Sequence, residues 1–380
     1  MSTGTLKRVV VVGNGIAGLT AADTLREAGF DGELTIVGDE RHPAYSRPAL
    51  SKALLLDGDD MSSHELPPAG HGARELLGVR ATGLDLDRRL VSLDDGTALP
   101  YDRVVLATGS RARRLSDLPG EVTLRGLDDA LSLRGRLAAG PSVVVVGGGP
   151  LGMEIASGCL AAGCEVTLVS QRTPLILQLG PYLADVFVKA ALGQGLTIVE
   201  TAAARLEGSD GNTRVVLDEG GVLEAEVILT AAGDVPNTEW LADSGLTAKG
   251  AIPVDERGLV RPDVAAVGDL AAFPTPQGLR RIPLWSSAVE QAKVAARALV
   301  RGDEAPPLQF QPYFWTEQFG LSLKAVGNLP VEGEPEYVDG GPGGGPALMR
   351  WSHEDGTGVA VALNYRIPIP RLRRTTRAAT

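Results

Sequence analysis

The chain has 380 residues, 44% apolar and 22% charged, the profile of a globular protein long enough for two or three domains. Its net charge of −11 argues against general nucleic-acid binding, which needs a basic surface to neutralise phosphates. No apolar run approaches the ~18–20 residues of a membrane span, and Met1 to Gly13 lack the layout of a signal peptide, so no membrane partner is expected.

In chain order, the first predicted elements are a strand over Val9–Val12, a glycine turn Gly13-Asn14-Gly15-Ile16-Ala17-Gly18, and an apolar-periodic helix to about Ala28. Gly13 permits the tight turn, Gly15 lets the backbone approach a pyrophosphate, and Gly18 lets the helix pack on the strand. The helix N-terminus then offers unpaired N–H groups to the phosphates. A second strand, Leu34–Val37, ends in Gly38-Asp39-Glu40, an acid where a ribose hydroxyl needs an acceptor. With strand, helix, second strand and acid in order, a chance glycine turn is the weaker explanation.

The same unit recurs at Ser142–Val146, followed by Gly147-Gly148-Gly149-Pro150-Leu151-Gly152, a helix, and the strand Glu165–Val169. Here the terminal acid is missing and the chain reads Ser170-Gln171-Arg172. An Arg with small donors suits a 2′-phosphate, which points to NADPH rather than NADH; the alternative is a solvated Arg172 with poor selectivity. One nucleotide must be the electron donor and the other a bound redox group.

Cys159 and Cys164, the two cysteines, have the spacing of a redox disulfide but follow the second glycine turn, and are expected to be buried small hydrophobes. So few cysteines make no disulfide framework, and a reducing cytoplasm is expected. His42, His64, His71 and His353 are scattered without metal-ligand spacing, so no metal is expected. From Pro306 the pattern turns to short alternating strands such as Ser322–Val326, typical of an antiparallel sheet, with a glycine-rich loop from Gly340 to Gly345.

Between the two glycine turns lies Tyr45-Ser46-Arg47-Pro48-Ala49-Leu50-Ser51-Lys52. Further along come Ala107-Thr108-Gly109-Ser110, Leu124-Arg125 ahead of Asp128-Asp129-Ala130, and Leu151-Gly152-Met153-Glu154. Ala232-Gly233 with Pro236-Asn237, Val267-Gly268-Asp269, Ala288-Val289-Glu290-Gln291, and Phe314-Trp315-Thr316-Glu317-Gln318 follow. In these segments the chain resembles, over essentially its whole length, the FAD-dependent ferredoxin reductases that serve oxygenases, the family of putidaredoxin reductase and biphenyl dioxygenase ferredoxin reductase.

The resemblance implies an α/β fold of glutathione-reductase-like architecture, with two Rossmann-like dinucleotide-binding domains and a C-terminal α+β domain. The FAD domain is expected at 1–114 and 238–305, the NAD(P) domain at 115–237, and the C-terminal domain at 306–380. By the same resemblance Arg47, Lys52, Ala81, Thr108, Gly109, Arg125, Asp269 and Trp285 attend FAD, with Asp39 and Glu40 at its adenosine ribose. Gly147, Gly149, Gly152, Ser170, Arg172 and Gly233 attend the nicotinamide dinucleotide. Lys52, Glu154 and Trp315 are expected beside the reacting rings. Pro150 replaces the family's usual aromatic in the second turn, and the short basic C-terminus suggests that the final helix of relatives is missing.

The implied activity is electron transfer from NADPH or NADH through FAD to a [2Fe–2S] ferredoxin, by a monomer or homodimer. The alternatives are a self-contained NAD(P)H oxidase or small-molecule reductase, and a redox-sensing flavoprotein. Arginines at 111, 113, 114, 371, 373, 374 and 377 are candidates for a basic docking patch, with a disordered, solvated tail as the other reading of the last four.

Overall fold

The β-branched run around Val9–Val12 forms the strand Arg8–Val12 in the computed structural model, and each of its four valines is at most 3% exposed. The structure describes residues 6–52, 55, 64–66, 70–209, 212–275, 278–342, 345–352 and 358–377. Met1 to Thr5, Gly343, Gly344 and His353, which entered the expectations above, lie outside the described residues. Contacts divide the chain into one unit of Met1–Ser46, Ser62–Arg111 and Val235–Phe310, and another of Arg47–Met61, Ala112–Asp234 and Gln311–Thr380.

The first unit is built on a six-stranded sheet in the order Leu259–Arg261, Val264–Ala266, Arg103–Leu106, Arg8–Val12, Glu33–Gly38, Arg74–Leu77. Its strands run parallel except Leu259–Arg261, which is antiparallel to its neighbour. Val9 and Val11 face a core formed with the helices Ile16–Glu27 and Trp285–Arg301, where Ala17, Ala21 and Ala22 meet Ala288, Ala292 and Ala295. Small side chains on both helices let them approach closely. Val10 and Val12 face the other core, with Leu84, Val91 and Leu93 of a small antiparallel sheet. Both faces are covered, which is why the strand reads as continuous apolar sequence rather than an alternation.

The second unit repeats the plan with a five-stranded parallel sheet, Thr197–Glu200, Glu165–Ser170, Ser142–Val146, Val227–Thr230, Glu121–Thr123. Ser142–Val146 carries the second glycine turn and leads into the helix Pro150–Ala161. The unit also holds a five-stranded antiparallel sheet, in the order Tyr313–Gln318, Leu321–Val326, Gly358–Leu363, Ala347–Ser352, Glu336–Asp339. Its edge strand Tyr313–Gln318 packs against the helix Pro150–Ala161. The fold is α/β, with two Rossmann-like sheets and the antiparallel sheet contributed by the C-terminal residues.

The chain end departs from expectation. Residues Ile369–Thr375 form a helix, started by Pro370 in its first turn and fixed by Leu372, which is fully buried beside Val326 and Ala360. The reading of this segment as a disordered tail is therefore corrected: one apolar residue among the arginines anchors it, while Arg371, Arg373, Arg374 and Arg377 remain exposed.

Candidate functional site

The first glycine turn is shaped by backbone contacts. At Gly13 φ is +121°, and a Cβ there would stand 2.1 Å from the Ala107 carbonyl oxygen. A Cβ on Gly18 would stand 1.9 Å from the Gly13 carbonyl oxygen, so the close strand–helix packing assigned to Gly18 is what the turn requires. Gly15 differs: nothing lies within 4 Å of its missing Cβ. Gly15 caps Ile16–Glu27, whose first turn carries no acid, so the positive helix end faces open space. Asn14 adds a buried Oδ1 without a partner among the described residues. A cradle that a Cβ would fill, floored by free helix N–H groups, fits the pyrophosphate of a dinucleotide such as FAD.

Around that turn the same unit gathers most of the residues expected at FAD. Asp39 is exposed at the end of Glu33–Gly38, and the Glu40 carboxylate accepts the Tyr45 hydroxyl at 2.5 Å. Thr108 and Asn237 exchange two hydrogen bonds, Oγ1 to carbonyl at 2.7 Å and Nδ2 to carbonyl at 2.9 Å. Gly109 sits at φ +64° and accepts the Asn237 amide. Asp269 accepts the Ser110 hydroxyl at 3.0 Å, and its carbonyl accepts Arg281 Nε at 2.5 Å. Trp285 opens its helix, again with no acid in the first turn, and Ala81 is buried at the start of Ala81–Asp85. Arg47, Lys52 and Arg125, expected at the same cofactor, belong to the second unit, where Arg47 Nη1 donates to the Arg125 carbonyl at 3.1 Å.

The second turn repeats the geometry. Gly147 has φ +131° with a Cβ position 2.3 Å from the Ala231 carbonyl oxygen, and Gly152 meets the Gly147 carbonyl oxygen at 1.9 Å. Gly149 caps the helix and is open apart from Gln178 Nε2 at 4.0 Å. Pro150 occupies the first helical turn, where its missing N–H costs nothing, and this explains how the turn accepts it. Gly233, at φ +97°, has only Arg113 Nε near its Cβ position, at 3.9 Å. Ser170 is buried, and its hydroxyl donates to the Arg172 carbonyl at 2.6 Å, a contact that shapes the turn after the strand.

Glu154 is the centre of the second unit's chemistry. The helix Pro150–Ala161 holds it 7% exposed. Its Oε2 accepts the Ser51 hydroxyl at 2.6 Å and the Lys52 ammonium at 2.8 Å, and its Oε1 accepts the Thr316 hydroxyl at 2.6 Å. Gln318 Nε2 donates in turn to Thr316 Oγ1 at 2.8 Å. A buried carboxylate costs several kcal/mol unless paired and hydrogen-bonded, and here both conditions are met. Ser51, Thr316 and Gln318 carried no assigned role in the sequence. Their signal was present in the two motif segments that contain Lys52 and Trp315, but no local pattern says that these segments converge.

Trp315 lies on the opposite strand face from Thr316 and Gln318, as alternation requires, and stacks on Tyr313 with ring centroids 5.5 Å apart and planes 18° from parallel. It does not join the Glu154 network. Burial raises the Tyr313 hydroxyl above its ordinary pKa. The cysteines behave as expected: both are free and buried, and burial pushes the Cys159 thiol up to about 12. Among the described residues no cluster of three or more His, Cys, Asp or Glu side chains could hold a metal ion, and no helix is long and apolar enough to cross a membrane.

Three arginines of the suggested basic patch are engaged within their own units. Arg111 pairs with Glu239 at 2.6 Å, Arg113 donates to the Asp234 carbonyl, and Arg114 to the Leu118 and Glu121 carbonyls. Their first role is structural.

Comparison with known proteins agrees with this geometry. The profile of the family described as pyridine nucleotide-disulphide oxidoreductase matches residues 7–292. The biphenyl dioxygenase system ferredoxin–NAD(+) reductase component of Paraburkholderia xenovorans (strain LB400) is 32% identical over 367 residues, covering 94% of this chain and 90% of the relative. Rhodocoxin reductase of Rhodococcus erythropolis is 36% identical over 334 residues, covering 84% and 78%. Among solved structures, the covalent putidaredoxin reductase–putidaredoxin complex matches with a TM-score of 0.86 at 28% identity, covering 98% of this chain and 93% of the other. The chain belongs to the pyridine nucleotide-disulphide oxidoreductases, in their branch of FAD-dependent ferredoxin reductases.

Proposed function

We propose that this protein passes electrons from a reduced nicotinamide dinucleotide, by way of FAD, to a [2Fe–2S] ferredoxin that serves an oxygenase. The observation that carries the reading is the pair of open glycine turns, one in each unit, combined with Glu154 beside the second, whose carboxylate holds three side-chain donors. Both named relatives and the solved putidaredoxin reductase complex support it. FAD supplies the conversion of a two-electron hydride donor into single electrons for an iron–sulfur acceptor.

The protein's own residues bind, orient and fix charge. Gly13, Gly15 and Gly18 with the helix end at Ile16 hold one pyrophosphate; Asp39 or Glu40 accepts its ribose, and Asp269 a further hydroxyl. Ala81, Thr108, Gly109 and Trp285 line the same cofactor, with Arg47 and Arg125 as its cationic contacts. Lys52 has three N–H donors; Glu154 and the Pro48 carbonyl take two of them, leaving one for the flavin ring. The Glu154 carboxylate offers about four acceptor sites. Ser51, Lys52 and Thr316 fill three, leaving one for a nicotinamide carboxamide. Neither group needs to exchange a proton; both position rings and set the field around them. Trp315 covers the ring from the C-terminal sheet. The domain plan of 1–114 with 238–305, 115–237 and 306–380 belongs to this proposal, as do a monomer or homodimer and, with both thiols unpaired, a cytoplasmic location.

The test is reduction of a panel of purified [2Fe–2S] ferredoxins by the FAD-loaded protein and NADH or NADPH, followed spectroscopically beside oxygen consumption. Rapid ferredoxin reduction with slow oxygen uptake is expected. Equal oxygen uptake with and without ferredoxin refutes it in favour of an oxidase.

A further inference from the structure

The strand Glu165–Ser170 ends without the acid that would accept a ribose hydroxyl, yet an acid stands beside it. In the parallel sheet Ser170 is opposite Glu200, the last residue of Thr197–Glu200. Neighbouring strands lie about 4.8 Å apart, within the reach of a glutamate side chain. Glu200 Oε1 indeed accepts the Thr173 hydroxyl at 3.2 Å, from the very turn that carries Arg172. Arg172, Thr173 and Glu200 line a cavity of about 470 Å³ whose wall also includes Ile176, Leu177 and Glu332.

The charges decide which dinucleotide this cavity suits. Glu200 and Glu332 oppose one guanidinium, so the charged groups lining the cavity are net negative. The donor that was expected to help Arg172, the Ser170 hydroxyl, is buried and already given to the Arg172 carbonyl. A phosphate monoester brings roughly −1.5 to −2 further charge at neutral pH, and adjacent carboxylates repel it. A ribose 2′-hydroxyl, by contrast, donates to a carboxylate. Ile176 and the exposed Leu177 supply apolar surface for a base on the same wall.

We propose that Glu200 replaces the missing strand-end acid as the acceptor for the adenosine ribose, and that Glu332 adds repulsion against a 2′-phosphate, so that the protein selects NADH over NADPH. This reverses the preference expected from Ser170 and Arg172, and it rests on the reading that the second glycine turn binds the nicotinamide dinucleotide.

The test uses the FAD-loaded protein with two readouts. The first is kcat/KM for NADH and NADPH with ferricyanide as acceptor; the second is calorimetric binding of ADP-ribose and 2′-phospho-ADP-ribose. Wild type should favour NADH and ADP-ribose. Glu200→Gln should cut the NADH/NADPH ratio by about tenfold or more, the size of one charge-assisted hydrogen bond, and Glu200→Gln with Glu332→Gln should cut it further. Glu200 and Glu332 are both exposed, so an unchanged flavin spectrum in the variants is expected. Wild-type preference for NADPH, or a ratio that Glu200→Gln leaves unmoved, overturns the inference. Selective ADP-ribose binding lost in Glu200→Gln, in a protein that reduces no ferredoxin, sustains this inference while refuting the proposed acceptor.

Discussion

Thr316→Val isolates the link between the C-terminal sheet and Glu154. Valine keeps the shape of threonine and removes the donor to Glu154 Oε1, for which Thr316 provides the 2.6 Å contact. Thr316 is fully buried, so bulk water does not simply take its place. The substitution also strips Gln318 Nε2 of its acceptor. A hydrogen bond to a charged group is worth about 1.5–3 kcal/mol, and losing one in the hydride-transfer step lowers kcat/KM by about 10- to 150-fold. The assay is NADH-dependent ferricyanide reduction by the FAD-loaded protein, with Thr316→Ser as the conservative control that keeps the hydroxyl and restores turnover. A double-mutant cycle gives the decisive readout: with Glu154→Gln already in place, Thr316→Val should cost little more, because its effect travels through the carboxylate. Losses that simply multiply in the double variant would refute the link, and wild-type kinetics in Thr316→Val would remove Thr316 from the site.

Three further outcomes are expected. Gly15→Ala should leave the apoprotein fold intact and lose FAD, because its Cβ enters space free of protein atoms; Gly13→Ala should misfold, since φ +121° and a 2.1 Å approach to Ala107 leave a side chain nowhere to go. Absorbance of bound flavin and circular dichroism separate the two, and full flavin content in Gly15→Ala would refute the cradle. The native Cys159 thiol should resist a thiol reagent at pH 8, where a group with a pKa of about 12 is thiolate in only roughly one molecule in ten thousand; burial raises the Cys164 thiol as well, and two thiols should react after denaturation; rapid modification of Cys159 in the native protein would contradict the buried assignment. Replacing Arg371, Arg373, Arg374 and Arg377 together by Gln should lower ferredoxin reduction at low salt and flatten its salt dependence, with ferricyanide reduction unchanged. Charge substitution is the right perturbation there, because truncation after Pro370 would also remove buried Leu372; an unaltered salt profile would leave these arginines without a docking role.

The sequence alone determined the two Rossmann-like sheets and their glycine turns. These are local: four β-branched residues, a turn that admits only glycine at two of its positions, and a small-residue helix are written within about twenty residues of chain. It also determined the fate of the cysteines, since their place after the second turn puts Cys159 on the buried face of the helix Pro150–Ala161 and Cys164 just ahead of the buried strand Glu165–Ser170. Only the tertiary structure decided how Ser51, Lys52, Glu154 and Thr316 share one carboxylate, because the partners are separated by 103, 102 and 162 residues and a buried anion selects its donors by position in space. The same holds for Glu200. The local sequence shows no acid at the end of Glu165–Ser170, and only strand pairing sets Glu200 opposite Ser170 and on the wall of the cavity that Arg172 lines, because packing and not chain position fixes the register of a parallel sheet.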